Sequence, residues 1–220
     1  MALLIKAITF DFDGVIVADS EYIKEDSWEV VVRVLGEISR EPIIAARQAF
    51  SKGRGSRYDI IAATLSSLGY SEEKIPEFTN NLAEVYNEEV QRGILRKGVR
   101  PIDRRGLSEL ALSYPLYINS ATPESAVAES VKKLGLAEFF SGVFGQPSKK
   151  KENLCRAIVA EQIQPAEMLF IGDGDGDYQA AIELGMPFIG LANSWNEWQN
   201  PKPFPLIADL TEIANILTNW

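Results

Sequence analysis

The chain has 220 residues, 46% of them hydrophobic, enough for one large domain or a core domain with a smaller companion. Its net charge of −9 excludes a nucleic-acid surface built from clustered Lys and Arg. Histidine is absent, which removes Ser-His-Asp triads, Cys-His pairs and His-ligated metals together.

Acid–base work then falls to carboxylates, Lys, Tyr or Cys. A metal held by oxygen ligands alone is expected to be hard, such as Mg2+. The single cysteine, Cys155, forbids an intrachain disulfide and suits a reducing compartment. Its helical surroundings predict an inert, half-buried thiol. No run approaches the ~18 apolar residues of a membrane span. The N-terminal apolar run is too short for a secretory leader, so a cytoplasmic protein without a membrane partner is expected.

Leu3 to Phe10 is rich in β-branched and aromatic residues, the pattern of a buried strand. It enters Asp11-Phe12-Asp13-Gly14-Val15. Side-chain alternation places Asp11 and Asp13 on one face of the strand tip, where like charges repel unless a cation is present. Residues 20–36, 40–51, 56–68 and 72–91 carry helical spacing, with Ser71, Glu72 and Glu73 as a helix start. The stretch 92–101, with two Gly, a Pro and four basic residues, reads as a return linker.

Strand–helix units then alternate. Leu116–Asn119 is a strand followed by a helix over 123–134, with Thr122 as N-cap before Pro123. Gly142–Phe144 is a strand followed by a helix over 151–162. Met168–Ile171 is a strand followed by a helix over 178–184. Pro187–Leu191 is a further strand, and a helix covers 210–218. Such units imply an α/β fold with a doubly wound parallel sheet. The helical block at about 17–92 interrupts the alternation as an insert. In these sheets ligands bind outside the carboxyl ends of the strands. Asp11, Ser120 and Asp173 each fall just past such an end.

Phe170-Ile171-Gly172-Asp173-Gly174-Asp175-Gly176-Asp177 sets three carboxylates between a strand and a helix. A calcium loop starting at Asp173 needs Gly sixth and Glu twelfth, but Tyr178 and Leu184 stand there. The glycine spacing does not match a dinucleotide fingerprint, and acids there would repel a pyrophosphate. A metal site shared with Asp11 remains, beside the plainer reading of a solvated turn in which Asp177 caps the next helix. Ser120 offers a hydroxyl to a phosphate oxygen, or is a simple turn hydroxyl. Lys149, Lys150 and Lys151 at a helix start oppose the helix dipole, so a partner anion is expected nearby.

Taken in order, these residues resemble the haloacid dehalogenase-like (HAD) hydrolases over nearly the whole chain. The motifs are Asp11-Phe12-Asp13-Gly14-Val15, Ser120, the Lys run, and Gly172 to Asp177. The resemblance implies a Rossmann-like core at 1–16 and 96–220. It also implies a C1-type α-helical cap at 17–95, as in the phosphoglycolate phosphatase and β-phosphoglucomutase branch, with Asp19-Ser20-Glu21 as its opening. Asp11 would be the nucleophile and Asp13 the general acid and base. Ser120, with Ala121 beside it, would meet the phosphoryl group, and Lys150, with Lys149 as rival, would neutralise charge. Mg2+ would be held by Asp11, the backbone carbonyl of Asp13, and Asp173, with Asp177 supporting.

Two positions depart from the family pattern. Gly174 stands where Ser or a larger residue is usual, with Asp175 beside it, and the Lys motif lacks the common Lys-Pro pair. Gly55-Ser56-Arg57-Tyr58-Asp59 resembles a substrate-contacting loop, with Arg57, or Arg54, meeting the substrate. Dehalogenases lack a second acid and need no metal, so Asp13 and Asp173 favour phosphoryl transfer. The implied function is a Mg2+-dependent phosphatase acting on a small phosphorylated metabolite through an aspartyl-phosphate, as a monomer or weak homodimer. The alternatives are a β-phosphoglucomutase-like sugar-phosphate mutase and a non-catalytic HAD-fold binding protein. Trp195, Trp198 and Trp220 are expected to pack on the core or meet a second copy.

Overall fold

A computed structural model describes residues 4–36, 40–50, 56–199 and 201–218. The chain forms two compact units, one spanning Tyr22–Arg96 and the other built from the chain up to Glu21 and from Lys97 onward. The first contains α1 (Ser20–Val34) from its third residue, α2 (Glu41–Ala49), α3 (Arg57–Ser67) and α4 (Ile75–Lys97) to its penultimate residue. Apolar residues at helical spacing meet in its core, where Trp28, Val31, Val32, Ile61, Leu65, Leu82 and Tyr86 are buried. Ser56 opens α3 with a reciprocal cap. Its hydroxyl accepts from the Asp59 N–H, and the Asp59 carboxylate accepts from the Ser56 N–H at 2.7 Å.

The second unit is a six-stranded parallel sheet in the order β3-β2-β1-β4-β5-β6. The strands are β1 (Ala7–Phe10), β2 (Leu116–Pro123), β3 (Gly142–Gln146), β4 (Met168–Gly172), β5 (Phe188–Leu191) and β6 (Leu206–Ile207). Helices α5 (Pro101–Ala111), α6 (Glu124–Lys133), α7 (Lys150–Glu161), α8 (Asp175–Leu184) and α9 (Glu212–Thr218) connect or flank them. The expected α/β doubly wound sheet is therefore present. β1 and β4 are buried along their whole length, as parallel strands covered on both faces must be. The chain leaves β1 toward β2 and β3, then returns to the other side of β1 as β4. That reversal is a topological switch point, and ligand sites form outside it. Among the described residues no helix is long and apolar enough to cross a membrane.

Several boundaries differ from the sequence expectation. The linker expected at 92–101 is mostly helix, because α4 continues to Lys97. Gly93 does not break it. A Cβ there would lie 2.4 Å from the Ile23 methyl, so the glycine serves close helix packing. α5 was not expected at all; Pro101 starts it rather than ending a linker, since proline costs little in a first turn. β2 runs on through Ser120 to Pro123, so Thr122 is not an N-cap. The residue before proline favours extended backbone, and Pro123 pairs with Gln146 after a register shift. α8 begins three residues earlier than expected, at Asp175. Cys155 is exposed rather than half-buried, because α7 turns Leu154, Ala157 and Ile158 inward. Trp198 packs on Phe204 at 5.4 Å between ring centres, while Trp195 is exposed. Arg54, Gly55 and Trp220 lie outside the described residues.

Candidate active site

The carboxyl ends of β1, β2 and β4 bring the acids and Ser120 to one edge of the sheet. Asp11 follows β1 directly and is buried. Its backbone N–H donates to Ile171 O at 2.8 Å, which continues the β1–β4 ladder one residue past the strand. Its Oδ1 accepts from the Phe12 N–H at 2.7 Å, leaving Oδ2 for Lys150 Nζ, also at 2.7 Å. The chain then turns at Gly14, whose φ of +77° disfavours any residue with a side chain. A Cβ at Gly14 would also sit 2.0 Å from Asp173 Oδ2. The glycine therefore lets the second acidic turn press against the first.

Asp173 follows β4, and Asp177 sits in the first turn of α8. Asp177 is buried, and its Oδ2 accepts from the Gly174 N–H at 3.1 Å. Its Oδ1 accepts from Lys150 Nζ. Lys150, the first residue of α7, thus bridges Asp11 and Asp177 with one ammonium. Ligand oxygens of Asp11, Asp173 and Asp177 all lie within 4.8 Å of one another. Three hard carboxylates at that spacing fit a hard divalent cation.

The electrostatics follow from crowding. Burial pushes the Asp11 carboxyl well above the usual carboxylate range, Asp177 adds to the rise, and Lys150 opposes it. Burial likewise pushes Asp173 up to about 6, against a lowering hydrogen bond from Asn193. Burial disfavours the charge on Lys150, but Asp11 and Asp177 outweigh it and hold the ammonium above its ordinary value. Among the described residues, Lys150 is the cation paired with these acids, so the carboxylates outnumber the positive charge beside them.

Asp13 behaves differently from its neighbour. Its side chain is half-buried, and its Oδ2 accepts from Thr122 Oγ1 at 2.9 Å. It is absent from the three-acid ligand cluster, although its charge raises Asp11. Ser120 is buried, and its Oγ accepts from the Thr122 N–H at 3.0 Å. Ala121 is exposed within the irregular stretch between Asn119 and Pro123. Lys149 is exposed, and its backbone N–H donates to Glu152 at the start of α7. Asp175 is exposed and outside the cluster. Arg57 belongs to the helical unit, where its guanidinium donates to Asn87 and lies 5.8 Å from the Tyr86 ring centre.

Three polar residues around these acids were not expected as part of the site, and one of them, Thr122, was expected only as an N-cap. Thr122 holds Asp13. Asn193 donates to Asp173 Oδ2 at 2.8 Å, and Asn196 donates to the Asp173 carbonyl at 2.9 Å. Asn193 lies two residues past β5, so the strand-tip rule that singled out Asp11, Ser120 and Asp173 also points to it.

A strand-tip acid pair, a bridging lysine and a second acidic turn thus meet at the switch point of the sheet. A model of the haloacid dehalogenase-like hydrolases matches residues 5–185, and the chain belongs to that family. Among curated proteins it is similar to phosphoglycolate phosphatase of Vibrio vulnificus, 28% identical over 87% of this chain and 86% of that protein. Phosphoglycolate phosphatase of Escherichia coli is 36% identical over 91 residues, a match spanning 39% of this chain and 36% of that protein. Among solved structures, a protein assigned as a β-phosphoglucomutase from Thermotoga maritima superposes with a TM-score of 0.75. That alignment is 17% identical and covers 98% of this chain and 99% of the other, a likeness of fold.

Proposed function

We propose that the chain is a Mg2+-dependent phosphatase that hydrolyses a small phosphorylated metabolite through an aspartyl-phosphate on Asp11. The observation that carries this reading is the Lys150 ammonium bridging Asp11 and Asp177 beside Asp173. Asp11, the Asp13 carbonyl and Asp173, with Asp177 in support, would hold the cation, which would offset the charge of a phosphoryl group and favour the ionised form of Asp11.

The residues then divide the work. Oδ1 of Asp11 accepts from the Phe12 N–H and Oδ2 from Lys150, which fixes the carboxylate plane for in-line attack on phosphorus. Asp13, held by Thr122, donates a proton to the leaving oxygen. It then takes a proton from the water that cleaves the aspartyl-phosphate, which regenerates Asp11. Ser120 and the backbone at Ala121 receive phosphoryl oxygens as charge develops. Lys150 holds Asp11 and Asp177 in register.

The whole-length similarity to a phosphoglycolate phosphatase supports a small phosphorylated acid as substrate. The test is release of phosphate from p-nitrophenyl phosphate with Mg2+, its loss on chelation, and its return when Mg2+ is restored. Turnover unaffected by chelation contradicts the reading. Incubation with β-glucose 1-phosphate and a bisphosphate primer separates the mutase alternative, since isomerisation without phosphate release excludes a phosphatase.

A further inference from the structure

We propose that Asn193 is a positioning residue that fixes Asp173 as a metal ligand and locks the second acidic turn to the first. The inference rests on the metal-dependent reading above. The Asn193 Nδ2 donates to two oxygens, Gly14 O at 3.2 Å and Asp173 Oδ2 at 2.8 Å. Gly14 belongs to the turn after β1, and Asp173 to the turn after β4. One amide therefore clasps both halves of the acid cluster.

The orientation of that amide is settled by its surroundings. Its Oδ1 accepts from the backbone N–H groups of Trp195 and Asn196, each at 2.9 Å. With two N–H donors on one side and two oxygens on the other, only one placement of O and N satisfies all four partners. Asn196 completes the clasp. Its Oδ1 accepts from the N–H groups of Asn193 and Trp198, and its Nδ2 donates to Leu191 O and to the Asp173 carbonyl. The loop after β5 thus grips Asp173 by both side chain and main chain.

The chemistry of the grip fits a ligand. Lys150 makes its charged contacts with Asp11 and Asp177, while Asp173 receives a neutral amide. A neutral donor orients a carboxylate without cancelling the charge that a cation needs, as outer partners of metal ligands do. The close seat against Gly14, where a Cβ would lie 2.0 Å from Asp173 Oδ2, makes that orientation demanding.

The test uses the full chain with Asn193→Ala and Asn193→Asp. Mn2+ affinity is measured by calorimetry without substrate, and Mg2+ half-saturation by p-nitrophenyl phosphate turnover. Folded variants are expected to bind Mn2+ and Mg2+ about 10- to 100-fold more weakly. At saturating metal, KM is expected to stay within about twofold, because the Asn193 amide is engaged with Gly14, Asp173, Trp195 and Asn196. Unchanged Mn2+ affinity in a folded variant overturns the proposal. So does loss of folding in both variants, which would make Asn193 a support of the fold instead. A wild-type protein that neither binds Mn2+ nor needs a metal sinks the phosphatase reading itself, a different outcome from a metal-dependent wild type with an unaffected variant.

Discussion

The two units bury different chemistry. Among the described residues, the buried polar groups of the helical unit are hydroxyls, Ser27, Thr64 and Thr79. Ser27 and Thr64 donate back to carbonyls of their own helices. Among its described residues, the α/β unit buries the carboxylates of Asp11, Asp103 and Asp177. Asp103 is answered by Arg100 and the Leu210 N–H, a local lock with no unmet charge. Asp11 and Asp177 share one lysine, with Asp173 alongside. The helical unit folds around apolar contacts and self-satisfied hydroxyls, whereas the α/β unit carries buried anions at the end of its sheet.

Asp11→Asn strikes hardest at that difference. It is expected to lower kcat for p-nitrophenyl phosphate by at least about 10³-fold. Retained turnover would remove the nucleophile from Asp11. Next comes a pair of substitutions at ion pairs of nearly equal length. Lys150 meets Asp11 at 2.7 Å with side-chain exposures of 20% and 8%, and Arg47 meets Glu25 at 2.6 Å with 36% and 32%. Lys150→Met strands two buried carboxylates and is expected to cost about 3 kcal/mol in metal-free protein by urea denaturation. Glu25→Gln is expected to cost under about 1 kcal/mol, because solvent screens that pair. Equal costs would show that burial does not set the energy.

A smaller effect is expected at Thr122. Thr122→Val removes the donor that holds Asp13, and kcat should fall about tenfold with little change in KM. A change confined to KM would assign Thr122 to substrate instead.

The smallest effect separates the units by the sign of their pH dependence. In metal-free protein Asp173 is pushed up to about 6 from 3.8, so its charge costs stability as pH rises through that window. The Ser56 hydrogen bonds hold Asp59 below its ordinary 3.8. Its contribution is therefore present above that value and is lost as pH falls through the lowered one. Side-chain carboxyl NMR titration in chelator should show the two groups displaced in opposite directions. Displacement in one direction for both would contradict the contrast.

Much of the α/β unit was readable because its strands are short apolar runs, and β1 and β4 lead straight into acids. The rule that sites lie past strand ends picked out Asp11 and Asp173, whereas Ser120 lies within β2, which runs on to Pro123. Boundaries failed where proline and glycine have two meanings. Gly93 packs inside α4, and Pro101 starts α5. Pro123 holds β2 extended, which turns Thr122 from an expected cap into a partner of Asp13. Asn193 stands past the end of β5, where the strand-tip rule reaches it, but an isolated amide in a loop carries no periodic signal, and tertiary contact shows what it and Asn196 hold.

The central claim is a covalent step at Asp11. It is tested most directly by quenching the protein with acid during turnover and locating phosphate by peptide mass spectrometry. The account predicts phosphate on the peptide carrying Asp11, absent from Asp11→Asn and lost as substrate runs out. Steady phosphate release with that peptide unmodified, and with Asp11→Asn still active, would contradict it.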